Sequence, residues 1–186
     1  MNNPLSGFRS AHRLRRQLPD KRDQLYRIAF SWCHDPALAD DLVQETLAKA
    51  LAKVHQLRDR ERLEPWLFRV LSNCWKDHLR AHREMQDIDD IVLASTHTPA
   101  DSYSERELVD RVRAGVAQLP LGQRQVLTLV DLEGMPYAEV AEVLEIPIGT
   151  VMSRLSRARA ALAERLRSYG AALLDSPRAT KLRSVK

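Results

Sequence analysis

The stretch PYAEVAEVLEIPIGTVMSRLSRAR, Pro136 to Arg159, holds two short amphipathic segments joined by Glu145-Ile146-Pro147. In the second segment, at about 100° per residue, Val151, Leu155, Ala158 and Leu162 fall in one narrow sector, which predicts a helix with one face on a core. Thr150, Ser153, Arg154 and Arg157 fall together on the other side, two hydroxyls and two long cations in place of the usual Glu/Lys mixture. Arg159 adds a third outward cation, and such a face suits an anion. In the first segment Pro136 suits the first helical position, with Val140, Val143 and Leu144 as the apolar side. Ala141 is small where two helices must approach. The pair fits a helix-turn-helix, whose first helix crosses the DNA backbone and whose second lies in the major groove. A basic amphipathic helix can also be a merely solvated face, so the surrounding sequence has to decide.

The chain has 186 residues, 44% of them hydrophobic, enough for one large or two small globular domains. A formal charge of +4 favours a polyanionic partner, and the segregation of acidic from basic residues along the chain says more than the net figure. Cys33 and Cys74 are the two cysteines, no apolar run reaches transmembrane length, and the basic N-terminus is not followed by an apolar signal region. A cytoplasmic, reduced protein with no membrane insertion is expected.

Residues 1–22 carry Arg9, Arg13, Arg15, Arg16, Lys21 and Arg22 with little periodicity, and read as a basic arm that is mobile until it meets a polyanion. Order is expected from Asp23. QLYRIAFSWCH reads as a helix, Asp35-Pro36 as a stop and a fresh start, and ALADDLVQETLAKALAKV as a long second helix. Pro65 opens a third, WLFRVLSNCWKDHLRAHRE, to about Glu84. Residues 85–104 turn acidic and loop-like, with Asp87, Asp89, Asp90 and Asp101, and mark a linker. ERELVDRVRAGVAQL is helical, Pro120 and Gly122 break it, and QRQVLTLVDL leads into the helix pair. With no strand pattern, Gly-rich phosphate loop or repeat, the expected fold is all-α: two small helical domains, 23–84 and 105–168, joined by an acidic flexible linker, with a basic tail at 169–186.

Three helix faces carry chemistry. On the second helix Asp40, Asp41, Gln44 and Glu45 lie opposite an apolar sector of Leu38, Leu42, Val43, Thr46 and Ala50. Carboxylates in a first turn also complement the helix dipole, so spacing alone leaves this face open. On the third, Leu67, Val70, Leu71, Cys74, His78 and Ala81 are the expected buried side, while Arg69, Asn73, Lys76, Arg80 and Arg83 gather opposite. The cations pair with phosphates, and Asn73 offers both donor and acceptor to a base edge. Trp66, Phe68 and Trp75 can stack on unpaired bases or serve as core. Cys74 and His78 have the i, i+4 spacing of a metal pair, which Cys33-His34 could complete, yet both lie on an apolar face where they are ordinary core residues. No convergent catalytic pattern is present; no enzyme, cofactor or metal is expected.

With these residues in hand the chain resembles the bacterial sigma factors of the sigma-70 family, in the small extracytoplasmic-function (ECF) group, over about Asp23 to Leu166. DDLVQETLAKAL is similar to the region 2 segment that grips the clamp helices of the largest RNA polymerase subunit, which implies core-binding roles for Asp41, Gln44 and Glu45. PWLFRVLSNCWKDHLRAHR resembles the segment that melts and reads the minus-ten element, where an asparagine like Asn73 meets a flipped base. LPLGQRQVLTLVDLEGMPYAEVAEVLEIPIGTVMSRLSRARAAL resembles region 4, which reads the minus-thirty-five element and meets the flap of the second polymerase subunit. The resemblance implies promoter DNA as ligand at Thr150, Ser153, Arg154 and Arg157, trapping of an extruded base in place of chemical catalysis, and control by an anti-sigma factor.

The sequence departs from that pattern at two places. Glu145 stands where the family usually has Gly, which implies a turn strained by roughly 1 kcal/mol, and Met152 stands where a basic residue is common. The competing reading is a stand-alone helix-turn-helix transcriptional regulator, although residues 23–84 show only helical periodicity where such proteins carry alternating strands and helices.

Overall fold

The structure, a computed structural model, describes residues 20–53, 57, 59, 62–86 and 105–174, without the side chains of 83–86, 105–110 and 168–174. The basic arm up to residue 19, the linker from 87 to 104, Arg83 and the tail cations Arg178, Lys181, Arg183 and Lys186 lie outside these described residues and side chains.

Among the described residues every regular element is helical, as the sequence predicts. Helix α1 spans residues 20–33, α2 Pro36–Lys53 and α3 Leu63–Gln86. They are followed by α4 Glu105–Ala117, α5 Leu121–Leu127, α6 Tyr137–Leu144 and α7 Ile148–Leu174. Helix α2 packs on α3, and α7 packs on α4, α5 and α6. The two helical halves meet where α3 lies against α6, and their buried side chains run into one hydrophobic cluster.

The first helix includes residues before the expected Asp23. Lys21 and Arg22 belong to the first turn of α1, where they pair with Glu64 and, at 2.7 Å, with Asp40. Two cations assigned to the arm are thus fixed by carboxylates that lie far away in sequence. Asp40 is correspondingly drawn away from the acidic face predicted for it.

The α1–α2 junction follows the sequence closely. His34 takes the left-handed conformation (φ 55°) and donates its N–H to the Phe30 carbonyl, which ends α1. Asp35 then caps α2: its Oδ1 accepts from the N–H groups of Ala37 and Leu38 at 2.8 and 3.0 Å, with Pro36 in the first turn. Trp32, Leu42, Val43, Leu67, Phe68 and Leu71 form the core of this half, each fully buried Leu or Phe contributing about 1.5–3 kcal/mol. Phe68 and Trp75 are therefore core residues rather than base-stacking ones, whereas Trp66 is half-buried. Three residues expected inside are not fully buried: Val70 sits half-buried at the edge of the core, and His78 is half-buried and Ala81 exposed where the last turns of α3 outrun it.

In the second half, Gly122 does not break the chain. Pro120 is the N-cap of α5, and Gly122 lies in its first turn. Beyond Leu127 the helix winds wider over Thr128–Leu132, where the Glu133 N–H reaches the Thr128 carbonyl five residues back at 3.1 Å. Gly134 (φ 69°) then reverses the chain into α6.

His34 supplies a test. Burial first, and the nearby Arg124 charge second, push its pKa down to about 4. Its Nε2 is buried without a hydrogen-bond partner, as a neutral ring allows. The unfolded chain then takes up this proton before the folded chain does. The stability due to the neutral ring is complete above about pH 6.5 and declines as the pH falls from there towards 4. Urea titrations at pH 7 and pH 5 should show that loss, and His34→Asn, which tolerates the left-handed backbone, should shrink the difference between the two pH values.

Candidate nucleic-acid interface

Helix α3 presents the predicted cationic face. Arg69, Asn73 and Arg80 are exposed and Lys76 is half-buried, at the i, i+3, i+4 spacing that puts them on one side. They are not all turned to solvent. Arg69 Nη2 lies 2.8 Å from Oε1 of Glu145, and Lys76 Nζ lies 3.1 Å from Oε2 of the same carboxylate and 3.4 Å from the Leu144 carbonyl oxygen. Arg80 pairs weakly with Asp77 at 3.8 Å. Beside them, Trp66 and Arg69 line a cleft of about 330 Å³ with Arg62, Pro65, Glu142 and Val143. His78 stacks on Trp75 (centroids 5.7 Å apart) and leans on His82 (4.4 Å); burial, then the His82 charge, lower its pKa.

Asp41, Gln44 and Glu45 of the predicted acidic face are all exposed on α2, opposite buried Leu42, Val43, Thr46 and Ala50. Glu45 meets Lys49 at 2.8 Å, and Lys49 reaches Asp77 of α3 at 3.4 Å, so one lysine ties the two helices at the edge of this face. Cys74 is buried on α3 with its thiol pKa raised by desolvation, and Cys33 lies against the Asp35 carbonyl oxygen at 3.3 Å. No three His, Cys, Asp or Glu side chains among the described residues are grouped as metal ligands would be.

On α7 the predicted face is partly redirected. Ile148, Gly149, Met152, Ser156 and Arg157 are exposed, whereas Thr150, Ser153 and Arg154 are half-buried. Ser153 Oγ donates to the Thr150 carbonyl at 3.2 Å. The Arg154 guanidinium lies over Gly122, so close that an added Cβ there would stand 2.9 Å from it. Arg159 is drawn back by a two-point contact with Asp131, Nε to Oδ2 at 3.1 Å and Nη2 to Oδ1 at 2.5 Å. The most exposed line of the helix therefore includes Met152 and Ser156, which counting cations and hydroxyls on one face missed. The period of the helix points to them once the packing of α7 on both α5 and α6 is known.

The family "Sigma-70 region 2" matches residues 20–85, and "Sigma-70, region 4" matches residues 110–162. The chain is 35% identical over 134 residues to the ECF RNA polymerase sigma factor EcfG of Rhodopseudomonas palustris, covering 72% of this chain and 74% of that one. The chain belongs to the sigma-70 family, in the ECF group. The ECF sigma factor SigM of Bacillus subtilis is 32% identical over 139 residues, covering 74% of this chain and 85% of its own.

Among solved structures, the sigma factor RpoE of Bartonella quintana, in complex with the anti-sigma factor NepR, matches this sigma factor with a TM-score of 0.73 and 32% identity, over 83% of this chain and 96% of that one. CnrH, in complex with the cytosolic domain of CnrY, matches with a TM-score of 0.60 and 26% identity, over 87% and 95%. A stand-alone helix-turn-helix regulator would leave the region 2 match without an explanation. None of the described helices of the sigma factor is long and apolar enough to cross a membrane.

Gly122 offers a direct probe of Arg154. A Cβ placed there meets the far end of a flexible side chain, so Gly122→Ala should leave thermal stability unchanged or slightly raised while moving the guanidinium. The measurable result is an altered affinity of the variant for duplex promoter DNA at equal Tm.

Proposed function

We propose that this sigma factor binds core RNA polymerase and directs promoter-specific initiation in the cytoplasm. In this reading residues 23–84 form the polymerase-binding and minus-ten unit, residues 105–168 the minus-thirty-five unit, and residues 85–104 the linker between them. Asp41, Gln44 and Glu45 meet the clamp helices of the largest subunit. Arg69, Asn73, Lys76, Arg80 and Arg83 hold and read the minus-ten strand, and region 4 adds the flap of the second subunit. The observation that carries the reading is the segregation of exposed charge: carboxylates on α2, cations on α3 and α7. A carboxylate face does not bind DNA, so the two kinds of face serve two partners.

In the minus-ten unit, cations neutralise phosphates while Asn73 offers an amide to a base edge, and the energy of holding the extruded base offsets the cost of unpairing it. In the minus-thirty-five unit, Thr150, Ser153, Arg154 and Arg157 engage duplex DNA from the major groove, each lost guanidinium–guanine contact costing about tenfold in affinity. The protein performs no chemistry of its own; polymerase does. The similar sigma factor RpoE, solved with the anti-sigma factor NepR, supports the same mode of control here.

Gel filtration with bacterial core polymerase tests the assignment. The wild-type chain should co-migrate with core, and Asp41→Ala with Glu45→Ala should abolish co-migration while leaving DNA binding intact. Arg154→Ala with Arg157→Ala should do the reverse, and should lower the slope of log affinity against log salt by about one for each phosphate contact removed. If both pairs weaken both activities alike, the division of labour is wrong.

A further inference from the structure

Glu145 occupies a position that disfavours it. It ends α6 in the left-handed region, at φ 59° and ψ 47°, a conformation that glycine adopts without penalty and that a glutamate does not. The helix-turn-helix gains nothing from a glutamate there: the bond closing the turn, Ile146 N–H to Ala141 carbonyl at 3.1 Å, is made by the backbone. The side chain instead leaves its own half of the molecule. Its two carboxylate oxygens take one cation each from α3, Arg69 at 2.8 Å and Lys76 at 3.1 Å. Lys76 also reaches the Leu144 carbonyl oxygen, so the negative end of α6 adds to the carboxylate charge. One turn earlier on α6, Glu142 meets Arg62 at 3.3 Å.

We propose that Glu145 is an internal phosphate mimic: region 4 of the free chain docks it onto the α3 cations Arg69 and Lys76, and single-stranded DNA must displace it to bind there. The inference rests on the assignment of the α3 face to DNA. The geometry suits a reversible latch, because Arg69 is 51% and Glu145 46% exposed, and exposed ion pairs of this kind are weak and salt-screened. The two pairs together shift the equilibrium by about three- to tenfold, enough to set a threshold and small enough for polyvalent DNA to overcome. Arg69 first and Lys76 second hold the Glu145 carboxyl below the ordinary glutamate range, so the latch is charged at neutral pH. The lowered value also gives the sign of its pH dependence: the contact is fully present above about pH 4.3 and weakens as the pH falls through the lowered value.

The test uses the full chain and a fluorescein-labelled 12-nucleotide single-stranded DNA of random sequence, with binding followed by anisotropy at low and high salt. Glu145→Gly keeps the turn, since glycine prefers that conformation, and removes the carboxylate. Glu145→Gln keeps the strained backbone and removes only the charge. Both should bind DNA about three- to tenfold tighter than wild type at low salt, with the difference vanishing as salt rises. In 15N–1H spectra, saturating DNA should shift the α6 amides Tyr137–Leu144 of the wild type towards the positions they hold in the DNA-free Glu145→Gly variant.

Equal affinities of wild type and both variants overturn the latch. A gain in Glu145→Gly alone also overturns it, because backbone relief rather than charge would then be responsible. Arg69→Ala with Lys76→Ala separates this from the underlying assignment. If that double variant loses DNA binding while the Glu145 variants gain none, the latch alone fails. If it binds the oligonucleotide as tightly as wild type, α3 is not the DNA face and the proposal falls with that reading.

Discussion

The guanidinium of Arg124 donates to the carbonyl oxygens of Trp32, Ala117 and Leu119, at 2.6, 2.8 and 3.0 Å, and so satisfies the C-terminal ends of α1 and α4 with one group. Helix C-termini leave carbonyls without intrahelical partners, and each one buried unpaired costs about 1–3 kcal/mol. A planar fork with five donors can serve three acceptors, one in α1, one at the end of α4 and one in the turn after it; an ammonium on a flexible stem cannot hold that geometry. The contact crosses from one half of the molecule to the other. Around it gather the Ser31–Thr128 hydroxyl pair at 2.8 Å, the Gln24–Glu133 bond at 2.7 Å and the depressed His34. The α1 side of the junction is therefore a partly buried hydrogen-bonded joint, and the α3–α6 side is an exposed electrostatic one.

That asymmetry bears on how a two-part DNA reader can close on itself and still open. Buried hydrogen bonds resist salt, whereas the pairs of Glu142 and Glu145 with Arg62, Arg69 and Lys76 are screened by it. Residues serving DNA recognition in the proposed reading thus also serve the closed form. A cation can meet a phosphate or a carboxylate with nearly the same geometry, which is why one helix face suits both.

Much of this was legible in the sequence, for reasons that differ by element. Asp35-Pro36 and the α6–α7 pair were readable because caps, prolines and a 3.6-residue period act locally. The acidic α2 face was readable because its residues are neighbours on one helix. Glu145 stood out as a residue out of place, but its partners are 69 and 76 positions away, and no periodicity connects them. The pairing of Lys21 and Arg22 was hidden in the same way. On α7, amphipathicity marked the buried stripe, yet the flanks depend on which helices lie beside it: Arg154 lies over Gly122 and Arg159 pairs with Asp131, while Met152 and Ser156 stand exposed beside Arg157. Aromatic residues were ambiguous because stacking on a base and packing in a core require the same side chains; tertiary burial assigned Phe68 and Trp75 to the core and left Trp66 at the cleft.

The widened turn at Thr128–Leu132 amounts to one residue more than an α-helix would use for the same rise. Everything beyond it is rotated by roughly a third of a turn relative to an unbroken α5. That change of phase lets four of its five residues look in different directions: Thr128 towards Ser31, Leu129 into the core, Asp131 towards Arg159, and Leu132 out into solvent. The segment acts as a phase shifter between the joint with α1 and the clamp on α7. Its length, more than its composition, sets the angular alignment of the two, so a single-residue insertion or deletion there would be felt at both ends at once.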